Sequence, residues 1–292
     1  MTSGNTSPNI SITSKDLPGL YQSASQASRE GQKSYFRSLR LYLLLLIAAA
    51  CFSLLPESVV GAIISAVLFL VTLLILIAMK LRSPDAIWYN GRALAESVKT
   101  RAWRWMMRAK PYTNPVLNTV ENKFIDDLEE ILKANRDLSK SLSAKSGIQQ
   151  SISQKMRDVR GIDDIKKRLN VYERERIDDQ AKWYSNKSEA TRISANHWFT
   201  ASVVLHLLAI VLLIARIPNP ELKLPIEAIA TAAGAALTWL EAKKYRELTS
   251  SYSLAAHEIS LIKARARSVQ TENDLADFVL SSENAFSREH AQ

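Results

Sequence analysis

The residues of this sequence best suited to chemistry are few, and each lacks the companion its reaction needs. His257 and Glu258 open the string HEISL, but Leu261 stands where a zinc-protease helix carries its second histidine. Residues 31–34 read GQKS, the end of a phosphate-binding loop without the upstream glycine that completes it. The chain has 4 His, none paired at ligand spacing, and its 1 Cys, Cys51, lies inside an apolar run. No metal, no cofactor and no internal disulfide are therefore expected. What remains is His206 and Glu227, ionisable groups within or beside apolar blocks, with Thr231 and Thr238 spaced four and eleven residues beyond Glu227. Groups so placed are candidates for lining or gating a pore. The plainer reading is a neutral imidazole bonded among helices, with threonines bonded back to their own helix. No nucleophile with an activating partner accompanies them, so an intramembrane enzyme ranks last and no catalytic residue is assigned.

The elements that must position these residues are four apolar blocks, at 41–55, 59–79, 198–215 and 226–240. Pro56, Glu57 and Ser58 alone separate the first two, which predicts a helical hairpin. The second block is long enough to cross about 30 Å of hydrocarbon, and the first reaches that length by borrowing 36–39 while Arg40 snorkels. The fourth is short, carries Glu227, and is rich in alanine, which suits close approach inside a bundle. The expected fold is all-α and integral to a membrane, with four transmembrane helices in two hairpins and long cytoplasmic helices.

The net charge of +9 agrees with this. Lys33, Arg37 and Arg40 precede the first block, and Lys80, Arg82, Arg92 and Lys99 follow the second; Lys187 and Arg192 precede the third, and Lys243, Lys244 and Arg246 follow the fourth. Basic flanks stay on the cytoplasmic side, so both termini are expected there and both hairpins point outward. Topology accounts for the basic charge without nucleic acid as a partner. A lipid bilayer is the partner required.

Sliding the sequence by 162 residues sets Tyr21 on Trp183, Tyr35 on His197, Phe36 on Trp198, Pro56 on Pro218, Arg82 on Lys244 and Glu96 on Glu258, without a gap. We read two parallel copies of one unit. The expected division is a disordered tail over 1–19, a first unit over 20–138, a Ser-rich linker over 139–161, a second unit over 162–275 and a C-terminal tail over 276–292. The tail at 1–19 lacks the basic start and apolar core of a cleavable signal peptide.

No Gly or Pro interrupts 162–217 or 235–292, which predicts long helices continuing from the third and fourth blocks. Asn114 and Pro115 suggest a cap and first turn for a helix striped by Leu117, Val120, Phe124, Leu128 and Ile131. After the second block, Ile87, Leu94, Val98, Ala102 and Trp105 recur at helical spacing among Trp88, Arg92, Lys99, Trp103, Arg104 and Arg108. A basic, tryptophan-rich helix of this kind suits a membrane surface or a packed stalk.

The string YERERIDDQAKWYSNKSEA from Tyr172, set just before a hairpin, resembles the signature of the SLATT domains, two-span bacterial membrane modules linked to nucleotide-based conflict systems. The first copy is similar to a sister subfamily, through LYQSASQAS from Leu20, the Tyr35 and Phe36 pair, and WYNGRALAESVKTRAWRW from Trp88. The resemblance marks Trp88, Arg92, Glu96, Lys99, Tyr172, Arg176, Gln180, Trp183 and Tyr184 as motif residues of the stalk. It implies an effector of bacterial antiphage defence that assembles as a homo-oligomer in the inner membrane and permeabilises it. The trigger would be a companion, a cytoplasmic sensor or a nucleotide-second-messenger synthase. The chain departs from the simple pattern in having two units and no attached sensor domain. The alternative is a non-conducting anchor or scaffold that recruits a partner through its helical stalk.

Overall fold

A computed structural model of the protein describes residues 10–52, 54, 59–143 and 150–291, with backbone only over 288–291. Among these residues the chain is helical and contains no strand. The helices are α1 (Gly19–Phe52), α2 (Val59–Arg82), α3 (Pro84–Met106), α4 (Leu117–Ala134), α5 (Gln154–Arg160), α6 (Ile165–Tyr172), α7 (Asp179–Arg216), α8 (Ile226–Lys243), α9 (Tyr245–Arg265) and α10 (Glu272–Ala291). A π-helical turn, Glu173–Asp178, joins α6 to α7. The predicted turn at Pro56, Glu57 and Ser58 lies outside the described residues, as do 144–149 of the expected linker.

Three helical stretches, Gly19–Phe52, Val59–Met106 and Ile165–Arg216, are long and apolar enough to cross a membrane. The fourth block forms α8, 18 residues long, but Glu227, Glu241 and Lys243 within it keep it out of that group. At 1.5 Å per residue its length is about 27 Å.

The chain divides into two compact units, and neither is one of the two sequence repeats. One comprises Lys33–Pro84 with Asn186–Tyr252; the other takes the residues through Gln32, Asp85–Ser185 and Ser253 onward. Each unit draws on both halves of the duplication.

In the first, apolar unit the side chains point the opposite way from those of a water-soluble protein. The residues α2 buries are Gly61, Ser65 and Thr72, while Phe69, Leu70, Leu73 and Leu74 are exposed. Small and hydroxylated residues form its contacts: Ser65 Oγ donates to the Ala49 carbonyl at 3.0 Å, and Ser202 Oγ to the Ala233 carbonyl at 3.4 Å. Helices meet closely where side chains are small, which is how packing operates where no water drives burial. Trp239 of α8 meets Phe36 of α1 at 5.7 Å and Trp198 of α7 at 6.0 Å, so all four apolar helices pack together. Lys243 stands 3.4 Å over the Phe36 ring and Arg40 lies 5.4 Å from Trp239, an arrangement of cations on aromatic faces.

The duplication is visible in the backbone. α2 ends at Ser83, φ 40°, before α3, and α8 ends at Lys244, φ 49°, before α9. Both residues adopt the left-handed conformation that closes a helix and redirects the chain. They are 161 residues apart, one short of the sequence offset.

The second, polar unit has a large core. Trp103, Trp105, Met106, Tyr112, Phe124, Tyr172 and Phe286 are all essentially inaccessible. The tryptophan-rich helix after α2 is thus a packed helix rather than a surface one. α4 starts at Leu117, not at Pro115, because Asn114 Oδ1 accepts the Val116 amide at 2.8 Å and closes an Asx turn ahead of the helix. Of its expected stripe Val120, Phe124 and Leu128 are buried, whereas Leu117 in the first turn is exposed and Ile131 half-buried.

Two expected boundaries differ in the structure. Residues 276–291, set apart as a tail, belong to α10, whose Leu275, Val279 and Phe286 are buried. The chain turns before it over 266–271, where Thr271 and Asp274 exchange backbone bonds as a cap, Asp274 Oδ2 accepting Thr271 N at 2.9 Å. The end of the linker region forms α5, capped by Ser153 and burying Met156, Val159 and Arg160.

Candidate functional site

The polar candidates of the apolar helices bond mainly within their own helices. His206 is exposed on α7, its Nδ1 2.7 Å from the Ser202 carbonyl one turn back. Thr231 and Thr238 donate to the Glu227 and Gly234 carbonyls of their own helix at 2.7 and 2.9 Å. Glu227 is exposed and faces Arg216 across the α7–α8 connection at 3.8 Å. Each of the four thus has its partner in its own helix or in Arg216, and Thr231 is half-buried while the other three are exposed.

Part of the stalk motif, Tyr172 and Arg176 with Lys99 beside them, does converge. Arg176 sits in the π-helical turn, fully buried, and forks onto the fully buried Glu283 of α10: Nε to Oε1 at 2.9 Å and Nη2 to Oε2 at 2.8 Å. The widened π turn is a local departure from α-helix of the kind found at functional positions. Tyr172 Oη donates to Glu283 Oε1 at 2.9 Å and Thr100 Oγ1 to Oε2 at 3.0 Å, so four hydrogen bonds satisfy one carboxylate. Phe286 covers the guanidinium at 4.9 Å, and Trp103 packs edge-on to Tyr172 at 5.6 Å.

The electrostatics follow from this enclosure. Burial alone would lower the Arg176 pKa, but Glu283 beside it outweighs that and holds it above its ordinary value. Tyr172 is pushed up, first by burial and then by the Glu283 charge, and remains a donor. Lys99 is pushed down by burial and by the neighbouring Arg176 charge, against the pull of Glu96, Asp179 and Glu283. Gln180 and Tyr184 are buried on the same face of the helix, Arg92 lies 5.9 Å from the Trp183 ring, and Trp88 stacks on Tyr89 while its carbonyl accepts Ser28 Oγ at 2.9 Å.

Reasoning from sequence missed Glu283 and Thr100, the acceptor and one of the donors at this centre. A signal existed: Leu275, Val279, Glu283 and Phe286 fall on one helical stripe, and a charge in such a stripe needs a buried partner. A second buried cation was also missed. Arg160 donates to the carbonyls of Trp105, Tyr112 and Asn114 at 2.5, 3.0 and 3.3 Å, closing the end of α3. Among the described residues no group of His, Cys, Asp and Glu is arranged to hold a metal.

Helices able to cross a membrane, packed through small and hydroxylated residues, together with a polar helical unit closed around an enclosed ion pair, define an all-helical membrane-associated module. Residues 18–168 match the SMODS and SLOG-associating 2TM effector domain 3, and residues 172–292 match the SMODS and SLOG-associating 2TM effector domain 1. The chain belongs to the SLATT family, two of whose domains it carries in tandem. It is therefore a membrane effector module of conflict systems. No curated protein and no solved structure matches the chain.

Proposed function

We propose that the protein permeabilises the bacterial inner membrane as a homo-oligomer, with both termini cytoplasmic, when a cytoplasmic signal or sensor protein acts on its polar unit. The observation carrying this reading is the surface of the apolar unit: α2 turns Phe69, Leu70, Leu73 and Leu74 outward and keeps Gly61, Ser65 and Thr72 inside. Such a surface is satisfied by lipid or by further copies of itself. α8 crosses as the fourth span in this reading, its alanine face against α7 and its charges at the two ends. Four helices alone enclose no wide passage, so conduction requires several chains, and His206, Glu227, Thr231 and Thr238 become lining residues only through association.

The test is dye release from liposomes reconstituted with the full chain, alongside membrane potential in cells expressing it. Release, reduced when His206 and Glu227 are both replaced at matched membrane levels, supports a conducting assembly. Vesicles that stay sealed even with a cognate sensor or synthase present would make the protein a scaffold.

A further inference from the structure

A cleft of about 490 Å³ opens in the polar unit where the end of α3, the segment before α4, the end of α5 and the first turn of α10 meet. Its polar wall is unusually rich in arginine. Arg108 holds the left-handed backbone conformation, φ 55°, costly for a residue with a side chain, and this turns its guanidinium across the opening. There it donates to the Arg160 carbonyl at 2.9 and 2.7 Å and to Asp163 at 3.0 Å, and stands 3.9 Å from Glu272. Arg157 reaches the same cleft, bound through Nε to Glu121 at 2.9 Å and through Nη1 to the Ile152 carbonyl at 3.2 Å.

Cations outnumber anions here. Among the lining residues Arg108, Arg157 and Arg160 stand against Asp163 and Glu272, and Arg160 is satisfied by carbonyls rather than by a carboxylate, while the enclosed Arg168 takes up Glu272 and Glu121 takes up Arg157. Burial, then the charges of Arg108 and Arg168, lower the Arg160 pKa to about 10, with Glu121 compensating only in part. The carboxylate that holds Arg108 is weakly committed, since the Asp163 side chain is 94% exposed, whereas Glu272 stands farther from Arg108 and is bonded to the fully buried Arg168. Arg157 Nη2 makes no hydrogen bond among the described residues, nor do the Thr113 hydroxyl and the Asn273 amide that line the cleft. Pro115, Leu117 and Ala276 give the cavity an apolar side. Its volume falls within the range of small-molecule sites, far beyond what one small anion fills.

We propose that this cleft binds the phosphate group of a small molecule, taken by Arg108 in place of Asp163 and by the Nη2 of Arg157. A guanidinium fork matches phosphate oxygens in pairs, and a doubly charged phosphate competes well against the exposed single carboxylate of Asp163. As the receptor for a cytoplasmic signal the site rests on the effector reading above; as a binding site it stands alone. The phosphate could belong to a soluble metabolite or to a lipid headgroup.

The full chain in phospholipid-free maltoside micelles should be titrated calorimetrically with inorganic pyrophosphate, ATP and dihexanoyl phosphatidic acid. Saturable binding of at least one is expected. Arg108→Gln or Arg157→Gln should weaken it about tenfold, and Asp163→Asn should tighten it several-fold by removing a competitor. Arg192→Gln, in the other unit, should change nothing. Because Asp163 is so exposed, its replacement leaves the fold intact and keeps the test decisive. No saturable binding of any of the three compounds, or affinities indifferent to Arg108→Gln and Asp163→Asn, would overturn the proposal. Preference for ATP or pyrophosphate identifies a soluble ligand, and preference for phosphatidic acid a headgroup. Binding without dye release in any condition would leave the site standing and remove the effector reading; dye release without binding would do the reverse.

Discussion

Arg176 and Glu283, separated by 107 residues, close a forked ion pair from which solvent is wholly excluded. The pair fixes α10 to the π-helical turn, and Thr100 brings α3, from the other SLATT domain, to the same carboxylate. The two domains of the tandem are thereby joined through one buried charge.

Removing one member strands the other. Glu283→Ala should therefore cost about 3–5 kcal/mol, whereas Arg176→Met with Glu283→Leu should recover much of that loss, since no lone charge remains buried. Chemical denaturation of the full chain in detergent, followed by circular dichroism, checks both. A single replacement as mild as an ordinary surface change would show that the pair is not enclosed.

The buried tyrosines give the protein an alkaline limit. Burial, assisted by the hydrogen bond to Asp127, raises the Tyr112 pKa, and burial with the Glu283 charge raises that of Tyr172. The folded state keeps protons that the unfolded chain releases above the ordinary value of 10.0, so this stabilisation is complete below pH 10 and lost as pH rises through the folded pKa. Melting temperatures should fall above pH 10 less steeply in a Tyr112→Phe, Tyr172→Phe double variant. An equal slope would place the effect elsewhere.

Gly91 lets α1 and α3 touch. A Cβ built there would lie 3.0 Å from Ser28 N and 3.1 Å from the Ala24 carbonyl, both backbone atoms that cannot yield separately. Gly91→Ala should lower stability and Gly91→Leu should lower it further, by about 1–3 kcal/mol as expected of overpacking. Thermal melts of the purified protein decide this, and a neutral Gly91→Leu would show that the helices stand further apart.

Cys51, the only cysteine, is exposed near the end of α1. In the orientation proposed above, with both termini cytoplasmic, it lies toward the outer end of the first span, so a membrane-impermeant maleimide should label it in intact spheroplasts. Labelling that requires lysis would invert the orientation.

Much of the architecture was legible because helices write their faces locally. The apolar blocks and the centre of the α4 stripe depend on residues within a turn or two of one another. The duplication could be read from spacing, and Ser83 and Lys244 show it in the backbone. The signature at Tyr172 led to the family, and its Tyr172 and Arg176 are indeed at a buried centre.

Sequence alone thus determined that the chain is helical, membrane-associated and a tandem of two SLATT domains. Only tertiary structure decided that the compact units cut across those domains, that Glu283 of the supposed tail is the anion Arg176 requires, and that Arg108 and Arg157 face one cleft. The physical reason is range. Periodicity says which face of a helix must be buried, but a face of given apolarity accepts many partners, and which one it meets is settled by packing and charge pairing between segments a hundred residues apart.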